Sequence, residues 1–507
     1  MKDTSKIQLY SFKNFDMADF QRRYLNAVLP HVEYEPVCIG KPKTIEVKGV
    51  DRACKRDYLI EDKCLYLQDA VIRRGNSKKN NKTFSMNAQI LQSVIGRGYK
   101  VMMRTLIDMG YLELGDGLLG GGKYWYYSNN EYSTIFTLSD KEIELSEPMI
   151  NAPVKGYKDK TIALIKKMTD KYASKYVSED FMKRYINSLK YVRIEDYTGF
   201  KAYVNESLQE NPKSNTYYDF VFSELENKER AIYRIDGSHR FYHILTNLDR
   251  NVKKYLSIDF MLDCKNSHPL LFNYFIYNKY KFKSSISYAI SEYLRTLDNN
   301  IISTLSFPFT SSNNKIYHNV SEFLYNTLID NNIEISSVAK MAPDEIEYIY
   351  KTSKGLLWDE ICQRHQEMDR SEVKAAMFGA VFYSKSPVSD RWNDYAKEFK
   401  SVYPSVFSLI ADWKRKKNQD EVKRYMNSHQ LPYKDNKTSL SIAMMALESD
   451  IFTKILKRLY AKRWNACHIH DCIVIPKDSN KNHPTKEQVR EIMADVYKEY
   501  GLCPTFD

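Results

Sequence analysis

Asp263 closes one apolar run, in Leu262-Asp263-Cys264-Lys265, and Asp471 interrupts a second, Cys467-His468-Ile469-His470-Asp471-Cys472-Ile473-Val474-Ile475. Two carboxylates delivered from separate segments can hold a pair of metal ions, which is the equipment of nucleotidyl transfer. Between them in sequence, Arg370, Lys374 and Phe378 recur every four residues. On an α-helix that spacing keeps all three on one face, each turned by about 40° from the last. A guanidinium suits a bidentate phosphate clamp, an ammonium suits a leaving pyrophosphate, and a ring suits the base and sugar beside it. An ordinary amphipathic helix carries the same stripe, and a lone acid in an apolar run is about as often a satisfied structural carboxylate. Neither string decides the chemistry alone.

The elements that must position these residues are two strands and two helices. Tyr255 to Leu262 predicts a strand whose end carries Asp263, and Ser267 and Pro269 suit the cap and first turn of a helix running into Leu270-Leu271-Phe272. The alternation around His470-Asp471 predicts a β-hairpin that pushes Asp471 toward the first strand. Earlier in the chain, Ile90, Leu91, Val94 and Ile95 have helical spacing, and Val101, Met102, Leu106, Ile107 and Met109 follow in a second helix stopped by Gly110. Tyr111-Leu112-Glu113-Leu114 and Tyr124-Trp125-Tyr126-Tyr127, separated by Gly120-Gly121-Gly122, predict a hairpin, with Thr134 to Leu138 as a further strand. Two helices followed by a hairpin is winged-helix order. Arg97, Lys100 and Arg104 would then supply phosphate contacts from the second helix, unless they are solvated charges on a protein-binding module.

The order of the motifs resembles that of family A DNA polymerases and their relatives, the single-subunit phage RNA polymerases. Asp236-Gly237-Ser238-His239-Arg240 with Thr246-Asn247-Leu248-Asp249 is similar to the family's thumb-to-palm stretch, with Arg240 and Asn247 at the family's separation. Asp263-Cys264-Lys265-Asn266-Ser267-His268 is similar to its first acidic motif. Arg370, Lys374, Phe378 and Gly379 match the fingers helix, with Phe382 where its last tyrosine falls. Phe399 and Tyr403-Pro404-Ser405-Val406 resemble the following motif, and His470-Asp471-Cys472 the second acidic one. Five strings in family order, over about Arg234 to Asp507, carry far more weight than any one of them.

The resemblance implies a right-hand fold of palm, fingers and thumb. It implies that Asp263 and Asp471 bind two Mg²⁺ ions, with Mn²⁺ as the alternative and the Cys264 carbonyl as a further ligand. Lys374 would assist the leaving pyrophosphate. Arg370, Phe378, Phe382 and His268 would line the nucleotide, and Arg240, Asn247 and His470 the primer and template, although His470 could equally just pack. His268 stands where the DNA polymerases have a glutamate that excludes ribonucleotides, and Phe382 lacks a phenol that would reward a 2′-hydroxyl, which tilts the expectation toward deoxynucleotides. Met445 replaces a family glutamine, as does Asp249. Glu448 and Asp450 are expected on a helix surface, with a supplementary acidic pair as the alternative.

The chain of 507 residues, 43 % hydrophobic, is long enough for two or three domains. A formal net charge of +12 indicates only some preference for polyanions. No apolar run approaches a membrane span and the start lacks a signal peptide's apolar core, so a cytoplasmic protein is expected. Eight cysteines without a C-x-x-C pair read as free thiols. The expected organisation is α+β: residues 1–83 irregular with a basic linker, 84–150 winged-helix-like, 151–233 a helical thumb, and 234–507 palm and fingers. The stretch between Tyr280 and Leu357 matches no family motif and is expected to be a fingers-side insertion. No segment before Arg234 has the acids of a proofreading domain. The expected activity is template-directed DNA synthesis from nucleoside triphosphates on a DNA primer-template or RNA–DNA hybrid, with the winged helix recruiting DNA or a replication partner. Composition suggests a phage or other mobile element. The alternatives are an RNA polymerase or primase on the same scaffold, and a non-catalytic DNA-binding replication or regulatory protein.

Overall fold

The computed structural model describes residues 6–7, 10–28, 60–75, 83–87, 91, 98–114, 126–128, 131–138, 143–145, 149–150, 177–210, 215–226, 234–296, 341–365, 368–383, 394–415, 419–429, 431, 436–477 and 483–507. Its described residues are mostly helical, with small antiparallel sheets, and so α+β in the loose sense. Two compact units interleave along the chain. The first comprises Met1–Lys171, Arg193–Ala231 and His243–Leu256, and the second Tyr172–Val192, Ile232–Tyr242 and Ser257–Asp507. The expected segment 151–233 is thus divided between the units, 151–171 and 193–231 falling in the first and 172–192 and 232–233 in the second.

In the first unit, helix Tyr99–Asp108 buries Met102, Met103, Thr105 and Leu106; of the anticipated apolar face Met102 and Leu106 are buried, while Val101, Ile107 and Met109 are only half-buried. Gly110, at φ +74°, lets the chain leave the helix in a left-handed conformation. The strand Glu131–Leu138 is central: it pairs antiparallel with Thr83–Asn87, Leu112–Leu114 and Tyr126–Ser128. The expected pairing of Tyr111–Leu114 with Tyr124–Tyr127 is therefore corrected, because Leu112–Leu114 and Tyr126–Ser128 both use Glu131–Leu138 as partner. The first helix expected here, around Ile90 to Ile95, lies outside the described residues apart from Leu91, as do Arg97 and the first part of the expected thumb around Ile162 to Met168.

The second unit is organised on a three-stranded antiparallel sheet in which Cys472–Pro476 lies between Ile258–Asp263 and Cys467–Ile469. Its central strand is buried along its whole length, which accounts for the unbroken apolar run in the sequence. The strand before Asp263 begins at Ile258, later than expected, because Arg250–Tyr255 forms a 3₁₀ helix whose Asn251 amide is capped by the Asp249 side chain at 3.2 Å. Helix Ser267–Lys279 follows, entered through Asn266 in a left-handed conformation at φ +55°. It is apolar on nearly every side and correspondingly buried, with Leu270, Leu271, Phe272 and Ile276 fully enclosed.

The described parts of the stretch between Tyr280 and Leu357 belong to this core and do not form the expected insertion. Helices Ser284–Thr296 and Pro343–Lys354 hold helix Ser267–Lys279 through buried polar contacts, Tyr277 to Ser291 at 2.6 Å and Asn273 to Thr352 at 2.9 Å. Residues 297–340 lie outside the described part. Pro404 opens helix Pro404–Lys414, and the buried Asp344 carboxylate accepts the Ser405 and Val406 amides at 2.7 and 3.3 Å. A distant acid thus takes up amides that a helix start leaves without partners. Asp344→Ala should destabilise the second unit by about 1 to 3 kcal/mol, since both amides lose their acceptor in a buried place. Denaturant titration measures this, with parallel loss of helix and near-ultraviolet signals.

Candidate functional site

Asp263 and Asp471 reach the same end of the sheet. Asp263 is the last residue of its strand, in register with Cys472, and the amide of Cys264 donates to the Asp471 carbonyl at 3.2 Å. Ile469 pairs with Cys472, so His470 and Asp471 form a two-residue turn, with His470 at φ +55°. Adjacent strands lie about 4.8 Å apart, so the turn sets the two acids side by side at the sheet's edge. The C-terminal segment closes the same edge: the Asp263 carbonyl accepts from the Asp507 amide at 3.1 Å, and Lys265 pairs with the Asp507 carboxylate at 2.7 Å.

The acids differ in surroundings. Asp263 is exposed, whereas Asp471 is half-buried. Burial first, then the charges of Glu448 and Asp263, raise the Asp471 carboxyl well above the usual carboxylate range. Such a site favours an added cation, which would restore Asp471 to its ionised form. Two carboxylates with room for water and phosphate oxygens is also the ligand set that magnesium takes. The Cys264 thiol is buried, and its burial pushes it well above its ordinary value.

Helix Arg370–Met377 supplies the cationic side. Lys374 is half-buried, with its ammonium 5.9 Å from the centroid of the Trp358 ring. Burial, and then Arg370, lower its pKa, while Asp263 and Asp471 oppose the shift. The structure therefore brings Lys374 within electrostatic reach of both acids. Arg370 is more exposed and pairs with Asp359 at 2.5 Å, an exposed contact that a phosphate could compete for. Phe378 meets His268 edge-on at 5.7 Å and Trp358 at 4.8 Å, so the third member of the stripe and the expected gate residue share one surface.

Phe382 is placed differently. It is 1 % exposed and packs on Phe272 and Phe399 at 5.9 and 6.0 Å, so it is a core residue and does not line the site. The cause is a widened turn at Phe378–Phe382, closed by the bond from the Tyr383 amide to the Phe378 carbonyl at 2.9 Å. A π turn holds one residue more than an α turn, so the residue that follows Phe378 on its own face is Tyr383, not Phe382. The Tyr383 hydroxyl meets His268 Nδ1, and its ring stacks on Phe378 at 5.7 Å. Lys414, a buried lysine brought down to about 8 by its burial, donates to the Val381 carbonyl within the widened turn at 2.6 Å.

Glu448 is also corrected: it is 2 % exposed, not on a surface. Arg240, presented by the Asp236 loop, donates to it from Nε at 2.9 Å, and His268 Nε2 lies 2.9 Å from its second oxygen. Burial would raise this carboxyl, but Arg240 and then His268 overcome it and hold it at about 2. Asp450 keeps the expected outer position, bonded by the Tyr500 hydroxyl. Asn247 belongs to the first unit and Arg240 to the second. Asp249 accepts from Tyr203 at 2.5 Å in addition to its capping bond, a structural use. His470 is half-buried in the turn, its ring 6.3 Å from that of Tyr242.

Sequence reasoning missed Tyr383, Trp358 and the buried state of Glu448. A carboxylate between Ala443-Met444 and Ile451-Phe452 on a largely apolar helix was the one available signal for the last. Comparison of the chain with known protein families, curated proteins and solved structures finds no match.

Two outcomes follow from this geometry. Phe382→Ala should cost about 3 to 5 kcal/mol of stability as a core truncation, while Tyr383→Phe should change stability by about 1 kcal/mol; equilibrium denaturation separates them. In divalent-free buffer, Asp471→Asn should be more stable than the parent near neutral pH. A raised acid makes the folded state bind more protons, so the parent's stability falls as pH rises from the ordinary carboxylate value of about 4. The advantage of the asparagine should therefore shrink as pH is lowered toward that value, as thermal melts across the range would record.

Proposed function

We propose that this chain is a template-directed nucleotidyltransferase, and more specifically a family A-like DNA polymerase without proofreading. The observation that carries the reading is the meeting of Asp263 and Asp471, from two distant motifs, at one end of the sheet, with Lys374 near enough to feel both charges. In this reading the sheet of the second unit with its flanking helices is the palm, helix Arg370–Met377 belongs to the fingers, and residues 84–150 form a winged-helix-like recruitment module. A cytoplasmic location accords with it, and among the described residues no helix is long and apolar enough to cross a membrane.

Two magnesium ions, or manganese, would be held by Asp263, Asp471 and the Cys264 carbonyl, and would supply an activated primer hydroxyl and charge neutralisation at the triphosphate. Lys374 binds and neutralises the β- and γ-phosphates, with its lowered pKa easing proton donation to pyrophosphate. Arg370 exchanges Asp359 for a phosphate. Phe378 and Trp358 form an apolar wall for base and sugar, and His268 fills the space beside the sugar.

Tyr383 bears on the choice of nucleotide. With a phenol on the Phe378 face, the argument for deoxynucleotides that rested on Phe382 is lost, and His268 carries it alone. The second reading, an RNA polymerase or primase, is favoured by that phenol.

Primer extension with deoxynucleotides and ribonucleotides in parallel, on DNA and RNA templates and with no primer, tests the proposal. Asp263→Ala and Asp471→Ala should each remove several kcal/mol of transition-state stabilisation, a loss of about a thousand-fold or more in rate, with fold and DNA binding retained. Lys374→Ala should lower the rate on the order of a hundred-fold while leaving DNA affinity nearly unchanged. Near-parental extension by either aspartate variant would refute the assignment. Primer-free synthesis from ribonucleotides by the parent would select the second reading.

A further inference from the structure

Glu448 reaches two side chains that come from other segments. Its Oε1 lies 2.9 Å from Arg240 Nε and 2.7 Å from Nη2, and its Oε2 lies 2.9 Å from His268 Nε2. His268 Nε2 is in addition 2.8 Å from Arg240 Nη2, and Nδ1 of the same ring meets the Tyr383 hydroxyl. In a neutral imidazole a given nitrogen is either donor or acceptor, so the two contacts at Nε2 cannot both be hydrogen bonds.

The surroundings decide between them. Arg240 already has an acceptor in Glu448 Oε1. Were Nε2 unprotonated, Oε2 of a carboxylate only 2 % exposed would face a bare nitrogen lone pair, a buried polar group set against another of the same kind. With the proton on Nε2, the ring makes a charge-assisted bond to the carboxylate, Arg240 Nη2 keeps its acceptor in Glu448 Oε1, and its 2.8 Å approach to Nε2 is the contact that is not a hydrogen bond. Nδ1 is then an acceptor, and the hydrogen it accepts is that of Tyr383.

We propose that Glu448 fixes His268 in the Nε2–H tautomer, and thereby turns the Tyr383 hydroxyl hydrogen onto Nδ1 and leaves the half-buried phenol oxygen to face a ligand as an acceptor. A donor on the bound molecule is rewarded at Tyr383, and a lone pair is repelled. Resting on the nucleotide reading above, the donor is a sugar hydroxyl. Glu448 acts through His268 and Tyr383 and is a positioning residue.

The test is the ¹⁵N spectrum of the full chain with ¹⁵N-histidine, His268 being assigned by the signal lost in His268→Gln. At pH about 8, above the ordinary imidazole range, the parent should show a protonated Nε2 and an unprotonated Nδ1. Tyr383→Phe should keep that tautomer, because Glu448 sets it. Glu448→Gln should reverse it: the single amide oxygen goes to Arg240, the amide N–H₂ faces Nε2, and the ring proton moves to Nδ1. In extension assays the same variant should raise the nucleotide KM by about ten-fold, equivalent to about 1.4 kcal/mol, with kcat largely kept.

A parent ring protonated on Nδ1 or on both nitrogens overturns the proposal, as does a tautomer change in Tyr383→Phe or none in Glu448→Gln. Should Glu448→Gln fail to fold, the parent and Tyr383→Phe spectra decide. A parent that shows the Nε2–H ring but incorporates no nucleotide removes the functional reading and leaves the tautomer assignment standing.

Discussion

The antiparallel pairing of Ile258–Asp263 with Cys472–Pro476 is the constraint on which the site depends. The second strand is buried on both faces, and a slip of one residue would exchange its side chains between two packed surfaces, so the fit of each side chain to its neighbours holds the register. That register puts Asp263 opposite Cys472 and leaves two residues for the turn. Asp471 therefore sits beside Asp263 through main-chain geometry, with no side chain needed to draw two like charges together. The unfavourable part of the arrangement appears as the raised Asp471 carboxyl, and the packing of the sheet against its helices outweighs it.

A second charge, Glu448, is held in the same region by the opposite means. Its ionised form is held by Arg240 and His268 despite nearly complete burial. Removing one member of such a group leaves an uncompensated charge, which typically costs about 3 to 5 kcal/mol. The three side chains come from a loop, a helix start and the middle of a long helix, so the charge network ties those elements together. It also sets what His268 and Tyr383 can offer to a molecule bound against Phe378.

Much of this arrangement was legible in sequence because it repeats local rules. Asp263 at a strand end, the hairpin at His470-Asp471, the helix beginning at Ser267 and the common face of Lys374 and Phe378 follow from periodicity and turn chemistry that neighbouring residues share. The misplacements share a different origin. Phe382 was assigned by counting four residues along an ideal helix, and a π turn adds one, supported by a lysine from Pro404–Lys414 that no local pattern announces. Glu448 was read as a surface charge because its two partners lie 208 and 180 positions away.

The sequence by itself thus determined the elements and the identity of the groups on them: which strand ends carry acids, which helix carries the cation and ring, and which segments are apolar enough to be buried. Only the tertiary structure decided which of those groups meet. Short-range patterns report hydrogen bonding and hydrophobic periodicity within a few residues, whereas the ionisation of Asp471, the burial of Glu448 and the face presented by Tyr383 are set by contacts between segments far apart in the chain.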